Sequence, residues 1–343
     1  MAFPFFIERF LMEVFYPAYY SAFQCIASAC PDSCCKEWEV DVDAQAAAFY
    51  RKLDGALGDR LRQVLKDTED GTVMTIENGR CPMWRQDGLC RIQAELGHDA
   101  LCHTCREFPR LRHDYGDFVE YGLELSCPEA ARLILTQPSQ WVQEELPGGE
   151  DAEYDLEAMS ILQQSRDVVS DFLNTSPLPV NMTLAVLLLY AHEVQAWLDG
   201  GETAVLDVDS CLNLSKKYAA SGNWEQFVDF FKGLEILTPQ WQDRLQAPDA
   251  NGCWDRGYLA FMRYLVGRYW FQAVSDYDLI GRVKFAIAAC LLVYRLGGNF
   301  VETAQLFSKE IENDPDNLET IWDGAYTAPA LTDVHLLSLL LGG

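Results

Sequence analysis

CIASACPDSCCKEW, residues 25–38, places four cysteines in eleven positions, spaced Cys25-x4-Cys30-x3-Cys34-Cys35. Five more follow within the N-terminal third: Cys81, Cys90, Cys102, Cys105 and Cys127. The rest of the chain, from Pro128 to Gly343, holds only Cys211, Cys253 and Cys290. On a helix, Cys30 and Cys34 would share a face, whereas Cys34 and Cys35 diverge in either a helix or a strand. One of that pair can therefore face a metal while the other packs or serves a second centre. The N-terminal third reads as organised around thiolates, and the rest of the chain does not.

Disulfides are the alternative use of so many cysteines, and they suit small secreted domains without a core. This chain has 343 residues, 49% of them hydrophobic, and can bury a core without covalent crosslinks. Its start, MAFPFFIERFLMEVF, is interrupted by Glu8, Arg9 and Glu13, and reads as neither a signal peptide nor a membrane anchor. The expected location is the cytoplasm, where reduced thiols serve metals or catalysis. Only Cys102-His103-Thr104-Cys105 has the two-residue spacing of zinc knuckles. Cys81 and Cys127 each precede a proline, which fixes the local backbone and also follows a ligand cysteine in one bacterial ferredoxin pattern. Spacing leaves iron–sulfur and zinc both open.

Four stretches in order, CIASACPDSCCKEW (25–38), GRCPMWRQDGLCRIQAELG (79–97), LCHTCREFPR (101–110) and LSCPEAAR (125–132), resemble the flagellin lysine-N-methylase family. That family lies within the wider group of cysteine-rich iron- or zinc-chelating proteins. The resemblance is confined to the cysteine-rich N-terminal part and ends shortly after Arg132. It departs from the family at Trp84, where an aliphatic residue is usual, and at Phe108, where tyrosine is usual. Cys102 is extra to the family pattern. The resemblance implies methyl transfer from S-adenosylmethionine to lysine side chains of flagellin by a protein carrying a [4Fe–4S] cluster. The ligands would come from Cys25, Cys30, Cys34, Cys35, Cys81, Cys90, Cys105 and Cys127; one cluster needs four, so others would be structural or serve another centre. The competing readings are a non-enzymatic zinc- or iron-binding interaction module or redox sensor, and a structural zinc domain.

No glycine-rich strand-to-helix turn marks a classical methyl-donor site; DGALGD (54–59) and LDGGET (198–203) read as helix ends. A donor would then bind in the cysteine-rich part, where Arg110 is the candidate to clamp a carboxylate in a bidentate pair. Glu124 and Glu129 flank Cys127 and read as solvated helix-surface residues. His98 reads as a helix-cap neighbour and His103 as a weak ligand candidate. Trp38 and Trp84 read as apolar cover over the centre.

Beyond the cysteines, helical patterns dominate. Residues 43–67 form an amphipathic stretch broken near Gly55 and Gly58, followed by a short strand ending in an Asn-Gly turn, and a second strand within 117–127. Seven acids without a base between 144 and 157, around Pro147-Gly148-Gly149, read as an exposed loop or boundary. The expected fold is mainly α: a small cysteine-rich α+β domain over 1–140, then an acidic all-helical domain over 155–343. Cys211, Cys253 and Cys290 read as core thiols. Net charge is −26, with −8 in residues 1–135 and −18 in 136–343. That balance argues against nucleic-acid and anionic-membrane partners and suits a lysine-bearing protein substrate. Oligomeric state is left open.

Overall fold

The computed structural model describes residues 11–36, 39–148, 151–218, 222–248 and 252–342. Glu8, Arg9, Trp38 and Gly149 lie outside the described residues. The chain is mainly α. Two small sheets lie between Leu11 and Pro147, and a long run of helices follows.

The first strand, β1 (Leu11–Pro17), precedes the cysteine loop of residues 25–35. Then come β2 (Val40–Val42), helices α1 (Ala44–Lys52) and α2 (Gly55–Val64), and strands β3 (Leu65–Asp67) and β4 (Thr72–Met74). Asp43 caps α1 by accepting the Ala46 amide at 2.9 Å. The expected break in 43–67 falls at Leu53-Asp54, just before Gly55, whose φ of +83° favours glycine. Strands β2, β4 and β3 make a three-stranded antiparallel sheet. The Asn-Gly turn is present: Asn78 and Gly79 both have positive φ, and Glu77 and Arg80 exchange backbone hydrogen bonds across it, as in a type I′ hairpin. A small core of Val40, Tyr50, Leu61, Met74, Met83 and Ile92 lies beneath, and it includes Cys81 and Cys102.

Short helices α3 (Arg91–Leu96) and α4 (His103–Glu107) lead to the hairpin β5 (Arg110–Asp114) and β6 (Phe118–Leu123), then α5 (Pro128–Thr136) and β7 (Trp141–Pro147). The larger sheet has the order β5-β6-β1-β7. β1 runs parallel to β6 and antiparallel to β7, with Leu11 opposite Pro147 and Pro17 opposite Trp141. Glu144 to Pro147, expected in an exposed loop, are therefore strand. Their side chains are exposed, as their charge requires, but their backbone groups are taken up by β1.

The helical region comprises α6 (Leu156–Thr175), α7 (Val180–Leu198), α8 (Val208–Ser215), α9 (Trp224–Lys232), α10 (Pro239–Gln246), α11 (Gly257–Tyr269), α12 (Leu279–Leu296) and α13 (Phe300–Phe307). A π-helical turn (Ser308–Glu312) continues α13, and α14 (Pro315–Thr327) and α15 (Asp333–Leu341) close the fold. Buried nearly all round, α12 is the central helix, with 16 of its 18 residues buried. Its Cys290 is fully buried, as expected of a core thiol, whereas Cys253 is exposed. The two cations it buries have partners: Arg282 pairs with Asp276 at 2.9 Å, and Lys284 donates to the Ala325 carbonyl at 2.6 Å. Phe118, Leu123, Leu125 and the buried face of α5 share the same hydrophobic core as these helices. The larger sheet is thereby built onto the helical body, and its β6–α5 turn carries Cys127 between them.

Candidate metal centre

All twelve cysteines are free thiols. Nine of them come together in two neighbouring groups. In the first, the 25–35 loop brings Cys25, Cys30 and Cys34 towards Cys127. The thiols interact electrostatically: Cys25 and Cys127 both raise the pKa of Cys34, and Cys25 and Cys30 raise that of Cys127. In the second, Cys35 joins Cys81, Cys90, Cys102 and Cys105. Backbone pairing builds this group. The Cys81 amide donates to the Cys35 carbonyl at 2.8 Å, and Cys90 bridges to Trp84 across the 85–89 turn. Asp43 accepts the His103 amide at 2.8 Å while it caps α1, which fixes the start of α4 and with it Cys102 and Cys105.

Burial pushes the Cys81 thiol up to about 12 and the Cys127 thiol up to about 11, with neighbouring thiols adding to it. Two pairs behave differently. In each of the pairs Cys34–Cys35 and Cys102–Cys105, the neighbouring thiol favours the first ionisation and opposes the second. Cys35 and Cys102 are thereby lowered to about 7, and the second proton of each pair is driven far above the ordinary thiol value. Nearby backbone amides oppose the rise, those of Glu129 and Ala130 at Cys127, Met83 at Cys81, and Ile92 and Gln93 at Cys90, and the Ala27 amide donates to the Cys25 sulfur at 3.4 Å. A set of thiols without carboxylates, in which each deprotonation opposes the next, is the donor type that a cationic iron–sulfur or zinc centre would use. Among the described residues, no three His, Cys, Asp or Glu side chains close into the shell of one metal ion.

Cys102, set aside as extra to the family pattern, stands buried within the second group. Its burial was concealed because the residues that cover it come from α1 and the 81–92 segment. His103 and His98 are exposed, His98 directly after Gly97 in a short 3₁₀ turn. Trp84 is partly buried, with the Arg80 guanidinium 4.0 Å over its ring. Arg110 lies on the edge strand β5 beside Tyr20, its guanidinium 5.3 Å from the ring of Phe23, two residues before the first thiol. Glu129 pairs with Arg132 at 2.6 Å, its own side chain largely covered while Arg132 is exposed. Glu124 does not fit the surface reading. It is largely buried against Arg268 at 3.5 Å, because the β6–α5 turn folds under α11.

Sequence reading also missed the clamp from the helical region. Gln305 of α13 donates to the Ser126 carbonyl at 2.6 Å and to Asp32 at 3.0 Å, so one amide ties the Cys127 turn to the 25–35 loop. From the π-helical turn, Lys309 reaches both Asp32 oxygens at 3.2 Å. Burial opposes ionisation of Asp32, but Lys36, Lys309 and Gln305 outweigh it and hold its carboxyl below the usual range. A π turn directed at a functional loop is a recurrent arrangement, and the pairing of SKEIE with CPDSCC left no local signal. Gln305→Ala is expected to cost about 1–3 kcal/mol, since it leaves a buried carbonyl unpaired. It should also speed hydrogen exchange at Ser126 and Cys127 and thiol labelling at Cys30 and Cys34. Lys309→Met should do less, because Asp32 keeps Lys36. Unchanged exchange at Cys127 in Gln305→Ala would contradict the clamp.

Fold and thiols together define a mainly helical protein with two adjoining groups of thiols at the N-terminal edge of a helical body. Over 135 residues it is 34% identical to the flagellar biosynthetic protein FliU of Salmonella muenchen, a match covering 36% of this chain and 76% of that protein. It is 34% identical over 135 residues to the lysine-N-methylase of Salmonella typhimurium strain LT2, and 36% identical over 129 residues to that of Salmonella choleraesuis strain SC-B67. Each of those two matches covers 36% of this chain and 32% of the relative, so the chain spans about a third of the length of the lysine-N-methylases it matches. The chain belongs to the flagellin lysine-N-methylase family that includes FliU. No family model and no solved structure matches it. Among the described residues no helix is long and apolar enough to cross a membrane.

Proposed function

We propose that the protein is an S-adenosylmethionine-dependent protein lysine N-methyltransferase acting on flagellin, with a [4Fe–4S] cluster on its N-terminal thiolates. The observation that carries this reading is that the family's cysteines, scattered in sequence from Cys25 to Cys127, are gathered into two adjoining groups of free thiols. Cys25, Cys30, Cys34 and Cys127 form one candidate ligand set. Cys35, Cys81, Cys90 and Cys105, with Cys102, form the other. When bound by only three of the thiols in a set, a cluster would keep one iron open and supply a Lewis-acidic anchor for the donor's amino and carboxylate groups.

The chain's own residues would do the rest. Arg110, exposed at the sheet edge beside the first thiol loop, is placed to meet a carboxylate. A lysine amine must be deprotonated before its lone pair forms the new N–C bond; the methyl–sulfur bond breaks as it forms, and the sulfonium leaves as a neutral thioether. The net charge of −18 in the helical part would draw a lysine-bearing partner and raise its encounter rate. Residues 1–140 would form the cysteine-rich unit and 155–343 the acidic helical one.

Protein purified without oxygen is expected to contain iron and sulfide in equal amounts and to methylate flagellin with S-adenosylmethionine. Cys34→Ser should lower iron content strongly, because Cys34 stands where the two groups meet, whereas Cys211→Ser should leave it unchanged. Colourless protein with stoichiometric zinc would overturn the cluster. Iron-loaded protein without methyl transfer would overturn the enzyme assignment and leave the metal centre standing.

A further inference from the structure

A cavity of about 70 Å³ lies between the four-stranded sheet and helices α6 and α11. That is room for several water-sized groups. Three arginines line it, and two are neutralised. Arg166 makes two hydrogen bonds to the buried carboxylate of Glu120. Arg268 lies 3.5 Å from Glu124 and 3.4 Å from Glu312. Arg263 is the exception. Its Nε is buried without a hydrogen-bond partner, and its Nη1 reaches only the Leu173 carbonyl, at a marginal 3.4 Å. Among the described residues no carboxylate pairs with it. That omission is informative in a chain with 52 acidic residues and 26 basic ones, where a partner is available almost anywhere. A buried donor left without an acceptor is unfavourable unless something supplies one, and the Arg263 Nε is such a donor.

The surroundings define what would supply it. Ser139, Ser170 and Tyr19 bring neutral hydrogen-bonding groups to the cavity, and Trp141 and Ile134 bring apolar surface. Arg268 already faces two carboxylates, so Arg263 is the single cation left for a ligand, which suits a monoanion better than a phosphate dianion. A planar guanidinium also pairs with a carboxylate through two parallel hydrogen bonds. We propose that this cavity binds a small monocarboxylate, its carboxylate on Arg263 and its short apolar part against Trp141. The site does not rest on the methyl-transfer reading, since none of the thiols takes part in it. The carboxylate can come from a free small acid or from the amino-acid end of a larger molecule.

Titration calorimetry on the full chain tests this with propionate, inorganic phosphate, S-adenosylhomocysteine and methylthioadenosine, which lacks the amino-acid end. Propionate should bind and phosphate should not. Arg263→Met should weaken propionate at least about tenfold, as expected for loss of a charge-assisted pair. Ser170→Leu, which fills the cavity and keeps the charge, should weaken it too, and it carries the test if the arginine variant fails to fold. Displacement of propionate by S-adenosylhomocysteine but not methylthioadenosine would support the proposal and identify the larger source. Propionate binding without that displacement would support it with a free acid. The proposal is overturned if neither propionate nor S-adenosylhomocysteine binds at millimolar concentration, if phosphate binds as tightly as propionate, or if Arg263→Met binds propionate unchanged.

Discussion

Arg268→Leu is expected to lower stability by about 3–5 kcal/mol, the usual cost of removing one partner from a buried ion pair. Arg268 on α11 is only 12% exposed and reaches Glu124 at 3.5 Å, Glu312 at 3.4 Å and the Tyr264 hydroxyl at 2.7 Å. Glu312 is fully buried and also accepts from Tyr269 at 2.8 Å. Without the guanidinium, two buried carboxylates would face each other, and one would have to take up a proton. Burial already raises the Glu124 pKa, and Arg268 is what opposes it. The consequence reaches the thiols, because the Cys127 amide donates to the Glu124 carbonyl. The urea midpoint should therefore fall, and Arg268→Leu combined with Glu312→Gln should recover at least half of the loss by removing the stranded charge. A loss below about 1 kcal/mol in the single variant would show that the pair contributes no more than an exposed one.

Acidification supplies the second large effect, through His113. This residue sits on β5 opposite Glu120, at the wall of the cavity beneath α11. Burial, and then the positive charge of Arg268, hold its pKa down to about 4 from an ordinary 6.5. The carboxylate opposite it, Glu120, is already bonded to Arg166. Because the unfolded chain binds this proton more readily than the folded one, the contribution is complete above pH 6.5 and is lost as pH falls from 6.5 to 4. The loss amounts to about 2–3 kcal/mol, from the size of the shift and the partial burial of the ring. His113→Phe should flatten the stability–pH curve in that window relative to the wild type, whatever the carboxylates do in both. An imidazole NMR titration with a midpoint near the ordinary 6.5 in the folded protein would refute this account.

Much of the architecture was legible because it is encoded by neighbours in sequence. Cys290, inside the apolar run AIAACLLVY, read as a core thiol and is fully buried on α12. Asn78-Gly79 had to turn, since both positions take positive φ. The density of cysteines up to Cys127, with a chain long enough to form a core, pointed to a thiolate centre. What failed involved distant partners. The Glu144 to Pro147 segment looked like an acidic loop because its partner strand β1 lies at the far end of the cysteine-rich part and has no hairpin signal. Glu124 looked like a surface acid because the arginine that buries it is on α11.

By itself, then, the sequence determined a mainly helical chain, a thiol-rich N-terminal third and the helices of the rest, since periodicity, turn chemistry and composition are properties of contiguous residues. Only the tertiary structure decided which thiols stand together. It moved Cys102 into the second group, and it placed Gln305 and Lys309 on Asp32, 273 and 277 residues away in sequence. It also left Arg263 as the cavity arginine without a carboxylate among the described residues. Such contacts depend on the packing of whole elements against one another, and no local pattern specifies which charge or which thiol will be brought within reach of another.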